Sequence, residues 1–252
     1  AATTVHAGPL VADAAQPTWG GIAVWRGDAN WKHVTVRGAR GVDVGVCPLP
    51  GGVTFHGGTA RLVDVLIADS PASYAIHVRA ARLEGKRLTV DNVRDDGINV
   101  DHGDVALERS LLTRVGGDAV DLGDGRADLH GTRIEDVGDK GLSAGLRSSA
   151  DLVGVTILDA GIAIAARDGS VIHVGTGRIE GARHFALAAY SRKPGRKPGR
   201  IDVRATRFDP DAKHLAAGEG VIHIDGTAVV PDATPLDALD RARQSTAGPT
   251  TL

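Results

Sequence analysis

The chain has 252 residues and a net charge of −2, so its charge indicates neither nucleic-acid binding nor attraction to an anionic membrane surface. Its single cysteine, Cys47, excludes a disulfide within the chain, and no apolar run is long enough to span a membrane. The 34 glycines and the low aromatic content of 3% are typical of a backbone that turns often around a narrow core.

The amino-terminal part leads into a repeating pattern. Residues 1–18 are predicted to form one strand or a cap, and residues 19–25 the first regular coil. Within that coil Ile22 and Val24 match apolar positions that recur at Val53 and Phe55, 31 residues later. Because this step is longer than those that follow, we predict a loop insertion near residues 40–52, around Cys47.

From residue 53 onward the apolar residues recur in columns at steps of 22 or 23 residues. The first column is Val53, Ile76, Ile98, Val120, Leu142, Ile164 and Leu187. A second column follows two residues later: Phe55, Val78, Val100, Leu122, Ala144, Ala166 and Ala189. A third runs through Ile67, Val90, Leu112, Ile134, Ile157 and Ile179. Alternation at a spacing of two indicates β-strands, and a fixed period of this size indicates a solenoid of stacked repeats.

These columns predict an all-β fold, a single-stranded parallel β-helix solenoid with coils of about 22 residues and two strand ladders per coil. We expect a right-handed coil, because crossovers between parallel strands are almost always right-handed. Residues 1–226 are predicted to form this one domain, with a second, basic loop insertion at residues 191–200. Residues 201–208 and 221–224 are predicted strands, and residues 227–252 a tail or cap with a short helix that begins near Thr234.

An acidic column stands out among the positions predicted to face outward. Asp96, Asp118 and Lys140 are one repeat apart and would lie about 4.8 Å from coil to coil, with Asp95 and Asp139 beside them. One interpretation is a pair of carboxyl groups for acid–base catalysis, or a Ca²⁺ site formed by Asp95, Asp96 and Asp118. The structural alternative is that each aspartate caps backbone amides before a strand while Lys140 neutralises the column.

A second outward column contains His77, Asn99 and Asp121, with Arg79 and Asp101 one position further along. His77 beside an amide and a carboxylate is a candidate general base, although a solvated strand histidine would fit the same pattern. The candidate catalytic residues are therefore Asp96, Asp118, Asp121, Lys140 and His77. The candidate substrate-binding residues are Arg79, Asn99, Asp101, Asp139, Arg167 and Tyr190. A zinc site is not indicated, because His and Cys residues do not cluster.

At these residues the chain resembles the pectate-lyase and polygalacturonase superfamily of right-handed parallel β-helices. The polygalacturonase motifs NTD, GDD and GHG, one coil apart, align with three segments: Arg94-Asp95-Asp96, Gly116-Gly117-Asp118 and Asp139-Lys140-Gly141. The resemblance implies acidic catalytic roles for Asp96 and Asp118. Gly117 stands where the family has an aspartate, Lys140 where it has a histidine, and Ala163-Ile164-Ala165 where it has RIK. The later segments of the sequence more closely resemble exported bacterial β-helix proteins of largely unassigned function.

We therefore expect a protein that acts on an anionic, uronic-acid-type polysaccharide by lyase, hydrolase or epimerase chemistry. A hydrolase would use Asp96 with Asp118 or Asp121 as acid and base. A lyase or epimerase would use His77 or Lys140 as the base, and Arg79, Lys140 or a cation to neutralise the substrate carboxylate. The alternative is a carbohydrate-binding, adhesin or scaffold β-helix without catalysis. Since the chain lacks Met and begins at Ala1, we expect either a mature form that lost an export signal or a trimmed chain, and a location in the periplasm or outside the cell.

Overall fold

A computed structural model of the protein describes residues 19–44, 47–192 and 195–230. The regular elements within these ranges are β-strands, numbered β1 to β27 in chain order. They form a parallel β-solenoid of about 7 turns with roughly 23 residues between turns. The predicted all-β parallel β-helix is therefore confirmed.

The solenoid has three faces, each built from one strand per coil. Face 1 consists of β1 (Ile22–Trp25), β6 (Gly51–His56), β9 (Tyr74–Arg79), β12 (Asp96–Asp101), β15 (Val120–Gly123), the second halves of β17 (Arg133–Gly145) and β19 (Val155–Arg167), β22 (Phe185–Tyr190) and β25 (His214–Ala216). Its strands pair in parallel, and Ile76, Ile98, Val120, Leu142 and Ile164 lie in one register line, as the repeat predicts.

Face 2 and face 3 complete each coil. Face 2 consists of β2 (Ala29–Lys32), β7 (Thr59–Val63), β10 (Arg82–Lys86), β13 (Asp104–Glu108), β16 (Arg126–His130), β18 (Ser149–Val153), β20 (Val171–Val174), β23 (Arg200–Val203) and β26 (Val221–Ile224), with β27 (Thr227–Ala228) antiparallel to β26. Face 3 consists of β3 (Thr35–Arg37), β8 (Leu66–Ser70), β11 (Thr89–Val93), β14 (Leu111–Val115), the first halves of β17 and β19, β21 (Gly177–Glu180) and β24 (Thr206–Phe208).

The prediction of two ladders per coil was wrong, because it missed face 2. The inward positions of this face carry their own apolar column, Leu62, Leu107, Leu129, Leu152 and Val174, interrupted only by Gly85 between the first two, and this column was not among those predicted. The side chains of this column are buried and join one continuous core with the inward columns of the other two faces.

The corners between faces depend on residues in the left-handed backbone region. At the corner after face 1 these are Arg26, Ala80, His102, Asp124 and Asp168, with φ values of 52°, 46°, 52°, 61° and 54°. An L-residue in this region costs about 1–2 kcal/mol. Burial of the apolar positions on both sides of each corner must offset that cost, which explains why the coil needs an apolar residue at nearly every inward position.

The predicted insertion at 40–52 contains a small antiparallel hairpin of β4 (Val42–Val44) and β5 (Cys47–Leu49), but its last two residues, Gly51 and Gly52, already belong to β6. Arg200, the last residue of the second predicted insertion, begins β23. The predicted strands near residues 201–208 and 221–224 correspond to β23, β24 and β26. The predicted cap at 1–18 and the helix near Thr234 lie outside the described residues. Within those residues no helix meets the length and apolarity needed to cross a bilayer.

Candidate functional site

Most of the predicted site residues lie on the outer side of face 1, in three rows that run from coil to coil, and Asp95 and Asp139 directly precede residues of the first row. The first row is Tyr74, Asp96, Asp118 and Lys140. The middle row is Thr54, His77, Asn99, Asp121 and Ser143. The third row is His56, Arg79, Asp101, Gly123, Gly145 and Arg167. We call these three rows together the polar strip.

The first row is linked by hydrogen bonds between successive coils. The backbone N–H of Asp118 donates to Oδ1 of Asp96 at 2.8 Å, and that of Lys140 donates to Oδ1 of Asp118 at 3.0 Å. The ammonium of Lys140 donates to Asp118 at 2.9 Å and to Asp139 at 2.6 Å. The capping and neutralising roles proposed from the sequence as a structural alternative are therefore both present in this row.

Burial sets the protonation of these carboxyl groups. It raises the pKa of Asp96 to about 8, and the negative charge of Asp118 adds to that rise, while the hydrogen bond from the Asp118 amide opposes it. Burial also raises the pKa of Asp118, against the attraction of the Lys140 ammonium, and raises the pKa of Asp95. Asp96 therefore holds a proton at neutral pH, as a general acid must.

His77 pairs with Asp101 across two adjacent coils. Its Nε2 lies 3.0 Å from Oδ2 of Asp101, and this hydrogen bond lowers the pKa of the Asp101 carboxyl. An ionised carboxylate only accepts, so Nε2 carries the hydrogen of this bond, and Nδ1 of His77 has no hydrogen-bond partner. The imidazole is buried, and the ring of Tyr74 lies 5.2 Å from it.

Arg167 reaches back over two coils to Asp121. Its Nη2 lies 3.2 Å from Oδ1 of Asp121 and 3.5 Å from Oγ of Ser143. The path lies over Gly145, where a Cβ atom would come within 2.9 Å of the guanidinium carbon of Arg167. Sequence reasoning placed Arg167 on this face but missed its pairing with Asp121. The signal was the pair of glycines at 123 and 145 in the third row, which leaves room for a long side chain.

The remaining predicted residues lie in different surroundings. Arg79 is exposed in the third row, and Asn99 is buried in the middle row. Tyr190 belongs to a separate outer apolar cluster with Ile162, Ala165, Ala188, Leu215 and Ala217. Sequence reasoning did not propose Tyr74, although it occupies the same column as Asp96. Burial raises the pKa of its phenol, and the charge of Asp96 contributes to the rise.

The predicted calcium ligands do not form a metal-binding group. Among the described residues, no three or more His, Cys, Asp or Glu side chains are placed to hold a metal ion, and this includes Asp95, Asp96 and Asp118. Asp118 instead directs its carboxylate to Lys140.

The fold agrees with the expected β-helix architecture, but no known protein assigns the chain to a family. Comparison with protein-family models, curated proteins and solved structures gives no significant match. Membership of the pectate-lyase and polygalacturonase superfamily therefore stays a prediction. A fold alone does not define an activity, so the side chains of the polar strip are what bear on the function.

Proposed function

We propose that the protein binds a polysaccharide along the polar strip and hydrolyses it, with Asp96 as general acid and Asp121 as general base or nucleophile. The observation that carries this proposal is the placement of a buried carboxyl group, Asp96, on the strand next to that of the partly exposed Asp121 carboxylate, and burial raises the pKa of Asp96 to about 8. Glycoside hydrolysis needs two carboxyl groups of this kind, one protonated and one able to approach the sugar.

The two carboxyl groups are held by different partners. Asp96 accepts the backbone N–H of Asp118, which fixes its orientation while its proton is retained by burial. The Asp121 side chain is 21% exposed, and the Arg167 guanidinium positions it. Asp96 would protonate the glycosidic oxygen as the bond to the anomeric carbon breaks. Asp121 would take a proton from the water that attacks this carbon, or would attack the carbon itself to form a glycosyl ester. In the second case water, deprotonated by the Asp96 carboxylate, would then hydrolyse the ester and release Asp121.

Lyase and epimerase chemistry are less well supported by this arrangement. Both need a base that can reach the proton next to a sugar carboxylate. The Lys140 side chain is 3% exposed, and two carboxylates favour its charged form, which cannot accept a proton. His77 is buried, so its free Nδ1 reaches a substrate proton only after neighbouring side chains move.

A non-catalytic carbohydrate-binding or scaffold module is the second candidate. The observation in its favour is that Asp96 and Asp118 each cap a backbone amide of the next coil. Such caps stabilise a solenoid with no substrate involved. Under this alternative, replacing Asp96 by Asn would preserve the cap and change no activity.

The test is incubation of the full chain with uronate and neutral polysaccharides, with and without Ca²⁺. New reducing ends and the absorbance of unsaturated uronides are both followed. We expect reducing ends without a rise in absorbance, loss of activity in Asp96→Asn and Asp121→Asn, and retention in Asp151→Asn. Asp151 is a matched control, because it lies on face 2 in a surface ion pair with Arg126.

Other outcomes separate the alternatives. A rise in absorbance would assign lyase chemistry and reject the hydrolase. Retardation of the protein by a polysaccharide in a native gel, with no product, would favour the binding module. Neither product nor retardation with any polymer of the panel would reject both proposals.

A further inference from the structure

Three neighbouring residues of the middle row have buried polar atoms without a hydrogen-bond partner. The atoms are Oγ1 of Thr54, Nδ1 of His77 and Oδ1 of Asn99. The residues are 2%, 4% and 6% exposed and follow one another in register on β6, β9 and β12. Unpaired buried polar atoms are rare in folded proteins and destabilise them, so three in a line require an explanation.

All three atoms can accept a hydrogen bond, and the Thr54 hydroxyl can also donate one. Asn99 offers a carbonyl oxygen, Thr54 a hydroxyl group, and His77 the nitrogen that does not face Asp101. A ligand whose groups both donate and accept, repeated at the coil spacing of about 4.8 Å, matches this row. Hydroxyl groups on successive sugar rings have this character. The atoms are shielded in the free protein, so a hydroxyl reaches them only when neighbouring side chains such as Tyr74 turn aside.

The charges around these atoms disfavour a carboxylated sugar. Six aspartates lie in or beside the strip, Asp95, Asp96, Asp101, Asp118, Asp121 and Asp139, and of these Asp96 holds a proton at neutral pH. Two of the nearby cations are already paired, Lys140 with Asp118 and Asp139, and Arg167 with Asp121, while Arg79 is exposed in the third row. A uronate would bring a further negative charge next to these carboxylates, at an energetic cost that a neutral sugar avoids.

We infer that Thr54, His77 and Asn99 form a recognition floor for the hydroxyl groups of a glycan without carboxylates. This inference rests on the proposed polysaccharide function and narrows its substrate class. It replaces the uronic-acid polymer expected from the sequence. The ligand would lie across the strands of face 1, along the solenoid axis, with its hydroxyls on the floor and its glycosidic bonds near Asp96.

The first test compares glycan affinities by calorimetry with the full chain. The probes are cellohexaose, mannohexaose and xylohexaose against hexagalacturonate, at pH 7 and moderate salt. We expect at least one neutral hexasaccharide to bind about tenfold or more tightly than hexagalacturonate. A tenfold difference in affinity is about the free energy of one hydrogen bond, which the repelled uronate would fail to make. Tighter binding of hexagalacturonate would overturn the inference but leave the proposed hydrolase in place. Binding of none of the four would overturn the inference and the proposed function together.

The second test uses Thr54→Val and Asn99→Leu, which keep the approximate shape but remove the unpaired atoms. In the free protein each variant should raise the thermal midpoint by about 2–4 °C, because a buried unpaired polar atom disappears. Each should also weaken binding of the preferred hexasaccharide by about three- to tenfold. Thr113→Val, on the outer side of face 3, is the matched control and should change neither quantity.

The thermal midpoint and the glycan affinity of these variants together distinguish a role in ligand recognition from a purely structural role. A residue that only supports the fold would lower the midpoint when its polar atom is removed. A lower midpoint in both variants would therefore reject the floor, whatever the glycan panel shows. A higher midpoint with unchanged affinity would also reject it, since the atoms would then be unpaired without serving the ligand.

Discussion

The ammonium of Lys140 lies 2.9 Å from Oδ1 of Asp118, and the backbone N–H of Lys140 donates to the same oxygen at 3.0 Å. One carboxylate oxygen thus binds the next coil twice, through a side chain and through the main chain. Both side chains are buried, and Lys140 also contacts Asp139. The Lys140 ammonium therefore neutralises the buried carboxylate of Asp118 in the acidic row of face 1.

Loss of the lysine should therefore destabilise the protein strongly. In Lys140→Met the buried carboxylate of Asp118 loses its counter-charge, so we expect a decrease of about 3–5 kcal/mol in the free energy of unfolding. Urea unfolding at neutral pH measures this change. Lys86→Met is the control, because Lys86 forms an exposed pair with Glu108 and its loss should cost less than about 1 kcal/mol.

A double variant separates charge from packing. Asn at position 118 can still accept the backbone N–H of residue 140 but carries no charge. We therefore expect Asp118→Asn combined with Lys140→Met to recover part of the lost stability. A double variant as unstable as Lys140→Met alone would contradict the assignment of the loss to an uncompensated charge.

The stability of the folded protein should depend on pH through Asp96. Its pKa is about 8 in the folded protein and takes its ordinary value of 3.8 in the unfolded chain. The stabilising contribution of the proton is fully present below pH 3.8 and is lost as pH rises towards about 8. Across this window stability should fall with a slope of at most about 1.4 kcal/mol per pH unit.

Asp96→Asn removes this contribution while preserving the bond to the Asp118 amide. The unfolding free energies of wild type and variant, measured from pH 4 to pH 9, should diverge progressively in favour of the variant and then run parallel above about pH 8. Parallel curves over the whole range would mean that Asp96 titrates normally.

Activity should decline on the alkaline side for the same reason. A general acid with a pKa of about 8 loses its proton above that pH, so kcat/KM for the preferred glycan should fall above about pH 8. Asp96→Asn should lower kcat by about 10²- to 10⁴-fold and abolish this alkaline limb. A variant that keeps both the rate and the limb would exclude Asp96 as the acid.

Arg167 is expected to act through Asp121 as a positioning residue. Arg167→Met removes the contact at 3.2 Å, and a misplaced carboxylate should lower kcat by about ten- to hundredfold with little change in KM. Arg126→Met, which removes an exposed arginine of face 2, should leave both constants unchanged. An increase in KM with normal kcat would instead identify Arg167 as a direct substrate contact.

Gly117 should be intolerant of a side chain. A Cβ atom there would lie 2.3 Å from Oδ1 of Asp96 and 2.7 Å from Oδ1 of Asp95, so Gly117→Ala must displace the acid. We expect a loss of about 1–3 kcal/mol in unfolding experiments. Gly175→Ala, whose nearest neighbour would be 3.4 Å away, is the control. Equal stability of the two variants would show that the Asp96 side chain adapts freely.

The polar strip was only partly predictable. The register that aligns His77, Asn99 and Asp121 follows from the repeat, and so does the alignment of Asp96 with Asp118. The contact between Arg167 and Asp121 does not, because it spans two coils and depends on a side-chain path over Gly145. Face 2 was missed although its column of Leu107, Leu129, Leu152 and Val174 repeats at the same spacing, because Gly85 interrupts that column.

The sequence by itself determined the solenoid, the register of faces 1 and 3, and the residues that share an outer face. It does so because a repeated pattern of buried and exposed positions admits only one stacking in which every coil covers the apolar side of its neighbour. The tertiary structure alone decided which carboxyl group keeps its proton and which polar atoms lie buried without a partner. These properties depend on burial and on side-chain geometry across coils. The spacing of residues along the chain does not specify burial or side-chain geometry.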